Sequence, residues 1–327
     1  MVEGNGAIIV HRQLEQALPR YKVIPYSPRF EYAPIFLGSL RFGKAKLIHT
    51  TPDHAIFHAR KNIPLVVTFH NYVLDHFMQQ HSTLVQRLYY RNNLRLFSSQ
   101  ALKRASIVTA VSRYTAELVY KDLGFAGDIK IIPNGIDARR FRPGSDKDKD
   151  KDKNFGIRIL FSGNLTRRKG ADLLPSIVRR LNPGIRIICT GGLRGKGRSL
   201  HDDRIEFIGY IPYEKMPSLY QSVHVLLKPT VREGFGLAVA EAMSCGLPVV
   251  ATDCSTMPDL IHHGQGGYLC RLGNVDEFAR YINKLARSPS LRARMGEYNR
   301  ARVEKEYKHE EMIKRYRMLF EEVLGTE

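Results

Sequence analysis

Lys228-Pro-Thr-Val-Arg-Glu233-Gly-Phe-Gly-Leu-Ala-Val-Ala-Glu241-Ala-Met-Ser-Cys-Gly246-Leu-Pro-Val-Val-Ala-Thr-Asp253 is the stretch on which the reading of this chain turns. The apolar run Val223–Leu227 before it reads as a buried strand. That strand ends in a loop bearing Glu233, where Gly234 and Gly236 let the backbone approach a ligand closely. A helix is predicted from near Leu237, with Gly246 placed to end it. The unpaired N–H groups at its start suit a diphosphate. Glu241, one turn into the helix, is a good acceptor for vicinal hydroxyls such as those of a ribose. Any one of these residues alone reads as part of a solvent-facing turn. Two acids eight apart around Gly-Phe-Gly, followed by Ala-Met-x-x-Gly-x-Pro-Val-Val-Ala-Thr, read as a ligand site.

Outward from this stretch, short β-rich runs alternate with helical patterns. Upstream strands are predicted at Tyr21–Pro25, Lys46–His49, Leu65–Phe69, Ile107–Ala110 and Ile129–Ile132, with helices at Ala7–Leu18, Thr83–Ala101 and Arg113–Leu123. Downstream strands are predicted at Ile157–Phe161, Ile185–Thr190, Ile205–Ile208, Val223–Leu227 and Pro248–Thr252. Helices follow at Val275–Arg287, Ser290–Glu304 and Glu310–Leu324. Near-continuous apolar strands alternating with amphipathic helices predict parallel sheets covered on both faces. The expected fold class is α/β, with two doubly wound, Rossmann-like domains and C-terminal helices. Ligands in such folds bind at the carboxyl ends of the strands, so the cleft between the domains is the default site.

The run DKDKDKDK at Asp146–Lys153 has no apolar residue with which to join a core and reads as a solvated connector. Its Asp-x-Asp spacing suggests no metal site, because every Asp has a Lys beside it. The expected division is an N-terminal domain at 1–143, a charged linker at 144–153, a C-terminal domain at 154–308 and a terminal helix at 309–327. That helix carries Met312, Ile313, Tyr316, Met318, Leu319 and Phe320 and is expected to pack back on the N-terminal domain.

Composition narrows the function classes. Of 327 residues, 43% are hydrophobic, enough for a sizeable core. The start shows no basic segment followed by an apolar run, and no stretch approaches roughly eighteen consecutive apolar residues. A cytoplasmic protein is expected, soluble or peripheral on the inner face of the membrane. Cys189, Cys245, Cys254 and Cys270 form no C-x-x-C pair and have no His at zinc-ligand spacing, so buried reduced thiols are expected. The net charge is +19, and the part before Gly144 holds 20 basic against 9 acidic residues. Such a surface suits nucleic acid, an anionic membrane or an acidic ligand. The motifs of helix-turn-helix, zinc-finger and RNA-recognition modules are missing, so no nucleic-acid partner is expected. Arg87, Arg91 and Arg95 recur every four residues on one predicted helix beside Leu84, Leu88 and Tyr89. They read either as a solvated face or as a basic surface for anionic lipid.

The Glu233-to-Glu241 string resembles the Glu-x7-Glu motif of the family-4 retaining glycosyltransferases, which have the GT-B fold. The resemblance runs over nearly the whole chain. Thr68-Phe-His70-Asn looks like the strand-end histidine of the N-terminal domain. Thr109-Ala-Val-Ser112 and Ile132-Pro-Asn-Gly-Ile-Asp137 look like the approach to the linker. Ser162-Gly163-Asn164-Leu-Thr-Arg-Arg168-Lys169-Gly170 looks like the phosphate turn, and Phe207-Ile-Gly-Tyr210-Ile211 like the base-contacting turn. The resemblance implies a metal-independent hexosyltransferase with no cofactor, using a nucleoside diphosphate sugar. The acceptor hydroxyl would be lipid-linked or part of a cell-envelope glycan.

By the same resemblance, Glu241 holds the donor ribose and Glu233 the transferred sugar. The loop of Gly234, Phe235, Gly236 and Leu237 offers backbone N–H groups to sugar and diphosphate. Lys169 neutralises the departing diphosphate, which needs fixed positive charge when no metal is present. Gly163, Asn164 and Arg168 line the phosphates, and Tyr210 and Ile211 the base. His70 hydrogen-bonds the donor sugar or organises the acceptor side. His49, His54 and His76 read as structural. The basic, glycine-rich Gly191–Arg198 lacks the Gly-Lys-Ser/Thr ending of a P-loop and reads as a cleft loop, with Arg194 or Lys196 touching ligand on occasion.

Two departures stand out. The family often has Gly-Arg where this chain has Gly163-Asn164, which leaves Arg167 or Arg168 to supply the second cation. The family also opens with a strand before its glycine loop, whereas this chain starts almost at the loop, Gly4-Asn5-Gly6. Rival readings are a non-catalytic sugar-nucleotide-binding subunit of the same fold, an epimerase or phosphorylase, and a basic nucleic-acid-binding protein. Turnover separates the subunit from the enzyme.

Overall fold

The structure, a computed structural model, describes residues 6–27, 30, 34–144, 156–191 and 202–325. The charged connector at 146–153, Gly4 and Asn5, and Arg194 and Lys196 lie outside the described residues. The chain divides into two compact units. One runs to Gly135 and takes in the helix from Glu310 onward; the other is Ile136–His309. The division falls before the expected 143, because Phe141 is fully buried within the second unit. Its carbonyl accepts hydrogen bonds from Ser244 (2.6 Å) and Arg300 (2.6 Å).

In the first unit, β1 (Ile48–Thr50), β2 (Leu65–Phe69), β3 (Ile107–Ala110) and β4 (Ile129–Ile131) form a parallel sheet in that order. Side chains alternate across a strand, so the run LVVTF of β2 feeds two cores. Leu65, Val67 and Phe69 pack with Ala101 and Leu102 of helix Arg95–Arg104 and with Ala116 and Val119 of helix Arg113–Leu123. Val66 packs on the other face with Val10 and Leu14 of helix Gly6–Ala17 and with Met312, Ile313, Tyr316 and Leu319 of helix His309–Leu324. Each such side chain is worth about 1.5–3 kcal/mol when fully buried. The terminal helix is therefore an integral layer of this unit.

Two expected elements differ. Tyr21–Pro25 alternates like a strand but is not one. The Val23 N–H is taken by the Glu15 carboxylate of the preceding helix (2.9 Å), and the Tyr21 hydroxyl turns inward to two histidines. The helix expected over Thr83–Ala101 begins on a Thr83/Gln86 capping box. It is then interrupted by a π turn at Tyr90–Leu94. Arg95 pairs with Asp122 (3.0 Å), whereas Arg87 and Arg91 are exposed.

In the second unit, β5 (Ile157–Phe161), β6 (Ile185–Gly191), β7 (Ile205–Tyr210), β8 (Val225–Lys228), β9 (Val249–Thr252) and β10 (Gly267–Cys270) are all parallel, in the order β10-β9-β8-β5-β6-β7. The sequence reading missed β10, which opens on Gly266-Gly267 after a turn. The order reverses between β5 and β8. At such a switch point the two connections leave in opposite directions and open a crevice at the strands' carboxyl ends. Ser162 onward leaves β5 there, and Pro229 onward leaves β8.

Candidate functional site

Hydrogen bonds clamp the loops after β5 and β8 together. Thr230 Oγ1 and the Val231 N–H both donate to the Arg168 carbonyl, at 3.0 and 2.9 Å. Gly170 sits at φ +76°, and a Cβ there would lie 2.0 Å from the Pro229 carbonyl oxygen, so only glycine permits this approach. The clamp brings Lys169 Nζ within 2.5 Å of Glu233 Oε1. Lys228, the last residue of β8, places its Nζ 3.3 Å from the same oxygen and donates to the Ser162 carbonyl at 3.1 Å. Burial alone would raise the pKa of Glu233, but the two ammonium groups outweigh it and hold the carboxyl well below its usual range. Burial pulls Lys169 down to about 7; Glu233 opposes the shift, and Lys228 and Arg168 add to it.

The loop between β8 and helix Leu237–Ser244 is fixed from behind. Ser255 Oγ accepts from the Glu233 N–H (3.1 Å), and Thr256 Oγ1 donates to the Phe235 carbonyl (3.1 Å). Gly236 caps the helix at φ +93°, where a Cβ would press into Met257 and Leu260 at 2.7 and 2.9 Å. The Phe235 ring is buried edge-on to Tyr307, so only its backbone serves the loop. A helix start carries N–H groups without intrahelical acceptors and a partial positive charge. Glu241 is buried one turn in. One carboxylate oxygen accepts from the Tyr220 hydroxyl at 2.9 Å, and Oε1 has no partner among the described residues. Burial pushes its pKa up to about 7, against the hydrogen bonds of Tyr220 and Tyr213. An unpaired buried oxygen is costly, and a vicinal diol would satisfy it.

The structure thus brings together Lys169, Glu233 and the Gly234–Leu237 loop. Gly163 stands next to Lys228, and its N–H donates to Thr190 Oγ1 at the end of β6 (3.0 Å). Asn164 Oδ1 is buried without a partner among the described residues. Arg168 Nη1 is turned to the Arg232 carbonyl (3.2 Å), and Arg167 is exposed. Tyr210 ends β7, at the sheet edge and two strands from β5, with its ring exposed and Ile211 following.

His70 follows β2 in the first unit. Both its ring nitrogens are buried without a partner among the described residues, and burial takes its pKa down to about 4. It lies 5.5 Å, ring to ring, from His11, and His11 heads a polar chain. His11 Nδ1 meets the Tyr21 hydroxyl (2.5 Å), which meets His49 Nδ1 (2.8 Å). His49 Nε2 meets Thr68 Oγ1 (2.7 Å), which meets Thr109 Oγ1 (2.6 Å). Burial drives His49 down to about 3 and His11 well below its usual value, so these rings are neutral. The Tyr21 hydroxyl has one proton for two imidazole nitrogens, which ties the tautomers of His11 and His49 together. Sequence reading took His49 as structural and passed over His11 and Tyr21. It also gave Lys228 no role. The one available signal was a charged residue closing an apolar strand.

Leu84, Val85 and Leu88 are exposed at 74, 77 and 54%, beside exposed Arg87 and Arg91. Among the described residues, no group of three or more His, Cys, Asp or Glu could hold a metal ion. No described helix is long and apolar enough to cross a membrane. Cys189, Cys245 and Cys270 are buried free thiols, whereas Cys254 is only partly buried and points at the Thr230 carbonyl (3.3 Å).

Residues 144–302 match the family described as Glycosyl transferases group 1, and residues 5–140 match Glycosyltransferase Family 4. The chain is 30% identical over 193 residues to the D-inositol 3-phosphate glycosyltransferase of Corynebacterium jeikeium, covering 52% of this chain and 46% of that protein. It is 28% identical over 213 residues to the GDP-mannose-dependent alpha-(1-6)-phosphatidylinositol monomannoside mannosyltransferase of Mycolicibacterium smegmatis, covering 59% of this chain and 56% of that one. The chain therefore spans about half the length of these curated relatives. The fold is similar to that of HepE from Anabaena, solved with UDP and glucose, at a TM-score of 0.78 and 19% identity over 98% of both chains.

Proposed function

The chain belongs to the group 1, family-4 glycosyltransferases, and from that premise we propose that it transfers a sugar, with retention, from a nucleoside diphosphate sugar to an acceptor hydroxyl. The observation that carries this reading is the buried Lys169–Glu233 pair beside the start of helix Leu237–Ser244, with the open Oε1 of Glu241 one turn along. In this scheme the diphosphate lies on the helix start and against Lys169. The ribose hydroxyls donate to Glu241, and Glu233 accepts from a sugar hydroxyl. The bond from the anomeric carbon to the diphosphate oxygen breaks, and its electron pair goes to that oxygen. The acceptor oxygen bonds to the same face of the carbon, and its proton passes to a diphosphate oxygen. The protein supplies orientation and charge stabilisation, with no protein base and no metal required.

The transferred group is taken to be a hexose and the acceptor lipid-linked or membrane-proximal. Supporting this are the phosphatidylinositol-directed relative and the exposed Leu84, Val85 and Leu88 beside Arg87 and Arg91. Such a surface suits an anionic cytoplasmic leaflet. The test is a thermal-shift screen with UDP-glucose, UDP-N-acetylglucosamine and GDP-mannose, followed by turnover in EDTA. A ligand at 100 times its Kd stabilises the fold by about 2.7 kcal/mol. Binding without hydrolysis or transfer would favour the non-catalytic subunit. Absence of binding by all three, and by UDP and GDP, would reject the reading.

A further inference from the structure

The turn after β5 carries Asn164 where a cation would face the phosphates, and the structure shows which charge stands in its place. Lys228 ends β8, the strand paired with β5 at the switch point. Its side chain is almost wholly enclosed, yet its ammonium emerges at the phosphate turn. Nζ donates to the Ser162 carbonyl at 3.1 Å and lies 3.3 Å from Glu233 Oε1. A Cβ built on Gly163 would find Lys228 Nζ at 3.9 Å and nothing else within 4 Å outside the adjoining chain. Among the described residues, the ammonium is thus what borders the space over Gly163. Asn164 Oδ1, buried and without a partner among the described residues, lies in the same turn. Arg167 is exposed, and Arg168 is committed to the Arg232 carbonyl.

Two ammonium groups share one carboxylate oxygen here, since Lys169 and Lys228 both address Glu233 Oε1. Two cationic side chains thus face one carboxylate, in a place where water screens charge poorly. A carboxylate between two lysines is the arrangement that a phosphate oxygen would also satisfy. We propose that Lys228 is the second cation of the diphosphate site. It would reach the phosphates over Gly163 from the strand end and make an arginine at position 164 unnecessary. This rests on the nucleoside-diphosphate-sugar reading above and adds to it a residue and a geometry: the charge enters from β8 and not from the turn after β5.

The test is a relocation of charge. Affinity for inorganic pyrophosphate and for UDP is measured by calorimetry on the full chain, with circular dichroism confirming the fold. Lys228→Met, and Lys228→Gln, which keeps an N–H for the Ser162 carbonyl, should each weaken both ligands by on the order of 10- to 100-fold, the range for a hydrogen bond to a charged group. Asn164→Arg in the Lys228→Met background should recover most of that loss, which a merely structural lysine would not allow. Unchanged affinity in the neutral variants, or no recovery in the double variant, overturns the role of Lys228 while leaving the nucleotide-sugar reading intact. Failure of the wild type to bind UDP, GDP or pyrophosphate strikes the broader reading instead. Should both neutral variants fail to fold, the wild-type Lys228 side-chain NMR resonance decides. A shift on adding pyrophosphate supports the contact, and an unmoved resonance refutes it.

Discussion

Two strand ends in this molecule treat charge in opposite ways. After β2, His70, His11 and His49 are kept neutral by burial and joined through hydroxyls. At β5 and β8, Lys169 and Lys228 crowd the Glu233 carboxylate, and burial raises the Glu241 carboxyl to about 7. Both ends belong to parallel sheets built on the same rules, so architecture does not account for the difference. The charged end suits a diphosphate, because fixed cations stabilise an anion without having to reorganise. The neutral end suits an uncharged hydroxyl, which needs one donor or one acceptor in a set direction and would gain little from net charge.

The largest expected effect lies at the charged end. Lys169→Ala should cut turnover by on the order of 100-fold or more while weakening UDP-sugar binding less, because charge grows on the diphosphate as the bond breaks. Steady-state kinetics with a separate binding measurement checks this. Equal losses in both would make Lys169 a binding residue only. Glu241→Ala should weaken UDP binding by roughly 1.5–3 kcal/mol. A folded variant with wild-type affinity would remove Glu241 from the ribose. Glu241 and Lys169 both sit at about 7, so between about pH 6 and 8 the gain from the Glu241 carboxylate opposes the loss of the Lys169 ammonium. In the Lys169→Ala variant, where Glu241 titrates without that opposition, UDP affinity should rise across this window.

Acid should also separate the two ends by sign. His49 and His70 have folded pKa values of about 3 and 4, below the unfolded value. Below about pH 6.5 the unfolded chain takes up protons that the folded one refuses, so the first unit loses stability as pH falls. Glu241 is raised to about 7, and between about 4.5 and 7 the folded chain keeps a proton that the unfolded one has lost. Its contribution therefore falls as pH rises through that window. Hydrogen exchange at pH 5.5 and 7, corrected for intrinsic rates, should show β2 and β3 losing protection on acidification relative to β8 and β9. The reverse order would end the contrast between a neutral and a charged end.

Within the neutral end, Tyr21→Phe leaves two imidazole nitrogens without their shared partner and should cost about 1–3 kcal/mol of stability. A loss near zero in denaturant melts would mean that the chain from His11 to Thr109 is incidental. The smallest effect concerns the exposed surface of the first unit. Replacing Arg87 and Arg91 with Glu should reduce flotation on anionic vesicles, each charge near the leaflet being worth about 1 kcal/mol, with UDP affinity unchanged. The same change at Arg95 should act chiefly on stability through its pair with Asp122. Equal loss of flotation at all three positions would place Arg95 on the same lipid-facing surface as Arg87 and Arg91.

What the sequence determined by itself was local. The runs LVVTF and IRILF, the Gly-Phe-Gly turn and the onset of the helix at Leu237 depend on neighbours within a few residues, and each lies where its pattern put it. Glu233 and Glu241 were legible for the same reason, since one loop and one turn of helix fix their spacing. Tertiary structure decided what depends on residues far apart in the chain. Tyr21–Pro25 has strand chemistry, but its N–H and hydroxyl find partners on a helix and among histidines, not on a neighbouring strand. No residue type announces the π turn at Tyr90–Leu94, and the Asp122 partner of Arg95 lies 27 positions along the chain. His11, Tyr21, His49, Thr68 and Thr109 form one chain across positions with no common period. Lys228 acquires its place only because β8 pairs with β5 at the point where the strand order reverses. A side chain's charge is written in the sequence, but the group it faces is set by which strands pair.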